Sequence, residues 1–367
     1  MFKIKKQLSK LYLSSVLGNL SLTGAWVAIL AARGYSLVEI SIAETVFHIT
    51  SLIFEMPSGI LADVFGRKKM LIVSSVMRMI GNIVMILSNG LSMVCLSLAF
   101  HALSYNFASG SDEALAYDSL KIAQMESKFE KYCSNQLIIY RLCSGISTLC
   151  AGFALFIGYR IAYGTDLITG TVQILILCSL SEVYAGNENT TKGHSNLAGI
   201  NSELIACFRE SISFLGNARK AIGFMLCNSF VGAVDILLLF FLQAKLQGKL
   251  PQEWIGFALL FMEMGGIVGS KLILQFPKLK YRSVFAVTAA LVFMGVLAEH
   301  SSLWPVMTLG GFLAAIGDDA IQVRTNVILQ DMFPSEQRAT LTSAESFSFS
   351  VIMIVLSPLA GIVFTYW

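Results

Sequence analysis

The residues of this sequence best suited to chemistry are ionisable side chains set inside long apolar runs. Glu44 and Glu55 share one run, Asp235, Glu263 and Glu345 occupy three others, and Asp318 and Asp319 lie together in a fifth. Arg78, Arg141 and Arg324 are the cations in comparable settings. A charged side chain at the centre of a hydrocarbon layer costs at least about 2.5–3.5 kcal/mol on the most lenient insertion scale. Such groups therefore face a protein interior or a water-filled cavity, where they bind ions, protons or polar solutes. Glu55, Arg141, Asp235 and Asp318 are the candidate proton or substrate sites, and a carboxylate among them can alternate between protonated and charged forms. Asp235 and Arg141 stand apart from the basic loops. Plainer roles compete for the others: Glu55 can fix the adjoining loop, and Arg324, six residues after Asp318, can neutralise that carboxylate. Glu44, Asp112, Glu113 and Asp319 also read as interfacial groups within reach of water. His48 and His101 read as hydrogen-bonded packing residues.

Other chemistry finds little support. The seven cysteines, Cys95, Cys133, Cys143, Cys150, Cys178, Cys207 and Cys227, form no C-x-x-C pair and no cluster with histidine. They read as small apolar side chains between helices. An H-E-x-x-H pattern, or a nucleophile beside a base at helical spacing, is absent. The expectation is a protein that is not an enzyme and uses no metal and no cofactor. No basic run with interleaved aromatics points to nucleic acid.

The elements that must hold these groups are membrane helices. Of the 367 residues, 55% are hydrophobic and 13% charged, with a mean hydropathy of +0.70. A soluble domain carries about 25% charged residues. A helix crossing the ~30 Å hydrocarbon layer needs about 20 apolar residues. Runs of that size occur at 11–32, 38–62, 70–88, 91–110, 134–158, 167–185, 220–243, 253–275, 283–299, 304–328 and 340–364, about eleven spans. The ten-residue alternation of a membrane β-barrel is not seen. If the N-terminus is cytoplasmic, the outer loops hold four cations, Arg33, Arg160, Lys245 and Lys249. Four more, Arg78, Arg141, Lys271 and Arg324, fall within spans, and the remaining 18 of the 26 Lys and Arg lie inside. The positive-inside rule then sets the N-terminus in the cytoplasm. The longest polar stretch, 186–219, follows the sixth span and divides the chain into an N-terminal half at 1–185 and a C-terminal half of about five spans at 220–367.

Between spans two and three the chain reads Gly59-Ile60-Leu61-Ala62-Asp63-Val64-Phe65-Gly66-Arg67-Lys68-Lys69. This resembles the G-x-x-x-D-x-x-G-R-K signature of the major facilitator superfamily, at the position where that family carries it. The resemblance implies a gating motif of Gly59, Asp63, Gly66, Arg67 and Lys68. Gly59 would permit close helix contact, and Asp63 would end span two facing the N-terminus of the eleventh helix while organising the basic loop. Gly66 would turn the chain. Glu55-Met56-Pro57-Ser58-Gly59, the acidic stretch Ser109–Leu120 and Pro334-Ser335-Glu336-Gln337-Arg338-Ala339-Thr340 resemble the bacterial drug-efflux-like branch. Two features depart from the pattern. The second-half copy of the signature, near Gly269-Ser270-Lys271-Leu272, lacks the Asp and second Gly, and no twelfth span follows the eleventh.

The resemblance implies an all-α membrane bundle of two pseudo-symmetric halves with a binding cavity between them. It implies a monomer of the bacterial cell membrane that exports a small, drug-like molecule in exchange for protons by alternating access. An importer, an uncoupled facilitator or a truncated non-transporting protein is the competing expectation. The charge asymmetry makes one firm prediction. A topology reporter fused after Trp367 is active outside the cell, and cytoplasmic activity would put the span count off by one.

Overall fold

The computed structural model describes residues 4–183, 219–332 and 338–366. Within its helices, the side chains of Met56, Ile60, Asp63, Val64, Glu130, Gln330, Asp331 and of residues 338–344 lie outside the described set. Helices joined by short turns and loops make up these residues. The helices are α1 (Ile4–Asn19), α2 (Trp26–Ala32), α3 (Leu37–Phe65), α4 (Arg67–Leu87), α5 (Leu91–Ala108), α6 (Ser111–Ile122) and α7 (Phe129–Leu149). They continue as α8 (Ala151–Ile157), α9 (Tyr159–Cys178), α10 (Arg219–Gln247), α11 (Gln252–Leu272), α12 (Tyr281–Glu299), α13 (Trp304–Met332) and α14 (Arg338–Tyr366). Among the described residues nine helices are long and apolar enough to cross a membrane, and the pair Glu126–Leu149 and Ala151–Ile157, bent by 47°, makes a tenth candidate. Large apolar side chains such as Phe156, 78% exposed, Leu175 and Ile168 point away from the protein. Lipid accepts such surface, and water would not.

Two compact units emerge. The first comprises Met1–Gly24, Ile49–Ser147 and Gly158–Glu210. Its centre is α4, which packs against α5, α6 and α9, while α1 packs on α6 and α9. Leu11, Leu71, Leu115, Tyr132 and Leu177 form a buried cluster in it, and the Tyr12 and Tyr132 rings stack there at 5.1 Å. The second unit comprises Ala25–His48, Thr148–Ile157 and Ser211–Trp367. Its centre is α13, which packs against α10, α11 and α12. Phe241, Leu242, Met262, Met307 and Met353 are buried in its core. Glycines bring α11 and α13 together. A Cβ on Gly265 or Gly269 would collide with the Phe312 or Ile316 carbonyl, one turn apart on each helix. Small residues at such spacing let backbones approach, which is how apolar helices gain packing where lipid competes equally for apolar surface.

The structure corrects two spans. The first, expected to run unbroken over 11–32, is interrupted between Asn19 and Trp26. Ser21, Thr23 and Gly24 are poor helix formers, and the hydroxyls compete for backbone partners. The sixth, expected at 167–185, is α9 at Tyr159–Cys178. Gly158, at φ +85° in the left-handed region that favours glycine, turns the chain directly from α8 into α9. The two corrections share one cause. Asp166, placed before the sixth span by its polarity, lies inside α9 and is 7% exposed. Its carboxylate accepts hydrogen bonds from the Ser21 and Thr23 hydroxyls, both 2.6 Å, and from the Leu22 N–H at 3.2 Å.

Asp166→Ala removes the acceptor of all three bonds. Each buried donor left unsatisfied costs about 1–3 kcal/mol. The expected result is a lower thermal midpoint for the purified protein, with Asp166→Asn less affected because it keeps one acceptor oxygen. Equal midpoints for parent and Asp166→Ala would show that water satisfies the break.

Candidate functional site

Inside the first unit lies a cavity of about 420 Å³ built from polar stripes at helical spacing. From α4 come Leu71, Ser74, Ser75 and Arg78, and from α5 come His101, Ser104, Tyr105 and Ala108, each set at positions i, i+3, i+4 and i+7. Residues so spaced share one helix face. Ser14, Ser15, Gly18 and Asn19 of α1, Asp112 of α6, Gln136 and Tyr140 of α7 and Gln173 of α9 complete the wall. Arg78 donates to the Gly18 carbonyl at 2.5 Å through Nη1 and to Gln173 Oε1 through Nη2. Gln173 is itself held, donating to the Ser14 carbonyl at 2.9 Å and accepting from the Ser75 hydroxyl at 3.2 Å. Across the same cavity, Asp112 Oδ2 accepts from the Tyr132 hydroxyl at 2.7 Å and from Gln136 Nε2 at 2.6 Å.

The motif between spans two and three forms one end of this unit. Gly66, at φ +100°, precedes the first turn of α4. A Cβ there would lie 2.9 Å from Glu182 Oε2, so backbone angle and space both call for glycine. Glu182 accepts from the Lys68 N–H at 3.2 Å, placing a carboxylate on the N-terminal turn of α4, where the helix dipole favours an anion. Arg67 donates to the Ala114 carbonyl at 3.0 Å and pairs with Asp118, both on α6. Lys68 Nζ donates to the Cys178 carbonyl at 2.9 Å, at the C-terminal end of α9. The basic residues thus tie α4 to α6 and α9.

In the second unit, carboxylates occupy glycine niches. Asp318 lies against Gly232 of α10, where an added Cβ would come 3.0 Å from Oδ1, and Asp319 lies against Gly266 of α11. Asp235 of α10 is within electrostatic range of both. Glu263 of α11 accepts from the Thr148 hydroxyl at 2.8 Å. Buried Glu299 pairs with Lys245, tying the end of α12 to that of α10. Among the described residues no His, Cys, Asp or Glu cluster has a metal-binding arrangement.

The family profile described as "Sugar (and other) transporter" matches residues 9–109, a stretch that includes the Gly59–Lys69 motif. No curated protein sequence matches the chain. Among solved structures, a mutant of the nucleoside transporter NupG is similar at TM-score 0.74 and 14% identity, covering 99% of this chain and 92% of its own. A D-xylose–proton symporter is similar at 0.72 and 10%, covering 97% and 89%. A mutant of the peptide transporter POT is similar at 0.67 and 12%, covering 98% and 88%. The chain has the major facilitator fold.

On that fold the residues singled out from the sequence distribute unevenly. Asp235 and Asp318 are brought together, with Asp319 as a third partner. Glu55 stands within electrostatic range of Tyr105, which lines the cavity. Arg141 is exposed and does not contribute to the cavity wall. Arg324 is not the partner of Asp318. It donates to the Phe276 carbonyl at 2.6 Å and the Pro277 carbonyl at 2.9 Å. Six residues turn an α-helix through about 240° beyond one full circle, so the two side chains leave different faces. A Cβ on Gly59 would meet no described atom within 4 Å. The Asp63 side chain, the side chains of 338–344 and residues 333–337 lie outside the described residues. Arg78, Asp112, Gln136 and Gln173 do not stand out as a group in the sequence, because charge alone singles out neither glutamine. The one local signal is Ser74, Ser75 and Arg78 at helical spacing on α4.

The Arg67–Asp118 pair is mostly buried, with side chains 18% and 10% exposed. Removing one partner of a buried pair costs about 3–5 kcal/mol. Asp118→Ala should lower the free energy of denaturant unfolding by about 3 kcal/mol, whereas Lys68→Ala, which loses one exposed bond to a carbonyl, should lower it less. Equal effects would assign the tie between α4 and α6 to packing alone.

Proposed function

We propose that the chain is a secondary active transporter that carries a small polar molecule through the bilayer by alternating access, coupled to protons. The observation that carries this reading is the cavity of about 420 Å³, walled by hydroxyls, amides and two opposite charges inside a bundle with apolar outer faces. Lipid-facing helices hold so many inward polar groups only at a cost that a bound polar solute or water must offset. The volume suits a molecule of sugar, nucleoside or amino-acid size. The three carboxylates Asp235, Asp318 and Asp319 supply the group that can take up and release a proton. Three like charges cannot all remain ionised at close range without a strong mutual penalty. The halves 1–185 and 220–367, joined by 186–219, would rock about the site, with the Gly59, Asp63, Gly66, Arg67 and Lys68 motif as the gate on the cytoplasmic side. N-terminus inside, monomeric state and a bacterial cell membrane complete the proposal.

A second reading is proton-driven export of an amphiphilic, drug-like molecule. It rests on the Glu55–Gly59 and Ser109–Leu120 stretches, whereas the polar wall favours the first reading. Glu55 and Arg141 remain proposed contributors in either case.

Reconstitution into vesicles with an imposed pH gradient separates the two. Pentoses, nucleosides, amino acids, short peptides and cationic amphiphiles form the panel. A polar solute should accumulate only with the gradient, and Asp235→Asn should abolish that accumulation while leaving the protein folded. Movement of amphiphiles alone would favour export of drug-like compounds. Unchanged coupling in Asp235→Asn would move the proton to Asp318 or Glu55.

A further inference from the structure

The cavity of the first unit holds two opposite charges, each with unused bonding capacity. Arg78 has five N–H donors to place. The two bonds it makes go to neutral acceptors, the Gly18 carbonyl and Gln173 Oε1. The carboxylate whose field reaches it, Asp166, is occupied by Ser21, Leu22 and Thr23. At the opposite wall, Asp112 uses Oδ2 for both Tyr132 and Gln136, and Oδ1 has no partner among the described residues. Arg78 and Asp112 do not bond to each other, although both line the one space.

This arrangement selects by charge. A purely anionic ligand would meet Arg78 but be opposed by Asp112, and a purely cationic one would meet the reverse. A neutral polyol would leave both charges without a counter-ion. We infer that the transported molecule is a small zwitterion of the amino-acid class, its carboxylate on the Arg78 guanidinium and its ammonium on Asp112 Oδ1. The planar guanidinium fork matches a carboxylate in two-point contact. Gln173, fixed by Ser14 and Ser75, takes one Nη2 donor and the Gly18 carbonyl one Nη1 donor, which leaves three of the five N–H groups for a ligand. Tyr132 and Gln136 do the same for Asp112 by taking a single oxygen. The inference rests on the cavity being the substrate site.

Binding to the purified full-length protein in lipid nanodiscs tests it, read by thermal shift and intrinsic fluorescence. The probes are the standard L-amino acids, matched compounds lacking one charge, such as phenethylamine and hydrocinnamate beside L-phenylalanine, and D-xylose and uridine as neutral solutes. At least one amino acid should bind saturably, and its amine and acid analogues should bind about 30-fold more weakly or worse. Arg78→Gln should erase the advantage over the amine, and Asp112→Asn the advantage over the acid. Arg78→Lys, which keeps the cation and loses the fork, covers the case in which the glutamine variant does not fold and should bind amino acids more weakly than the parent. Binding of xylose or uridine with no amino acid binding would overturn the zwitterion and leave the transporter reading standing. Failure of every probe to bind would overturn both. An amino acid bound equally by parent and the three variants would remove Arg78 and Asp112 from the site.

Discussion

In hydrocarbon every backbone N–H and C=O must find a partner within the protein, and the rest of this structure depends on that constraint. It makes the spans helical. It also explains the break in the first span. Between Asn19 and Trp26 the helix lapses, and the released polar groups turn to a carboxylate from another helix, Asp166, rather than to lipid. The break and the buried acid are two sides of one solution. Neither would be tolerable without the other.

The same constraint shapes the rest of the polar inventory. Each unit has a central helix, α4 in one and α13 in the other, and each of these carries the ionisable groups of greatest interest, Arg78 and the Asp318–Asp319 pair. A helix packed against several others is shielded from lipid, so it can hold charge at a smaller cost. Glycine makes room for that charge. Gly232 and Gly266 give up their side chains where Asp318 and Asp319 lie. Around Arg78 the work falls to neutral amides and hydroxyls, which orient the guanidinium without neutralising it. A cation left in that condition keeps its electrostatic demand for a ligand.

Helix ends follow the complementary rule. Glu182 meets the N-terminal turn of α4, Lys68 meets a carbonyl at the end of α9, and Arg324 meets carbonyls of the segment that follows α11. Charges at such termini satisfy backbone groups that a helix cannot pair internally and interact favourably with its dipole. The motif that marks the chain as resembling a known superfamily therefore has a local structural task, tying three helices together, apart from any part in gating.

The amino-acid sequence alone determined the membrane-helix class, the rough positions of most spans and the motif between α3 and α4. Each is a property of local composition: apolar run length, charge density and a glycine whose backbone angle no other residue adopts readily. It also located the ionisable residues in apolar settings. Which of them act together was a tertiary matter. Asp235 and Asp318 are 83 residues apart in sequence, and only the packing of α10 on α13 brings them within range. Arg324 lies close to Asp318 along the chain, yet helical rotation sends it to the segment that follows α11. Asp166 read as a loop residue because polarity within a window cannot reveal that another helix is broken opposite it. The cavity wall was legible only in part, as the serines and arginine of α4 and the histidine, serine and tyrosine of α5 at helical spacing. Whether such stripes face one another, face lipid or face solvent depends on how six helices are turned about their axes. No local pattern carries that information, because rotation is settled by the neighbours each helix meets.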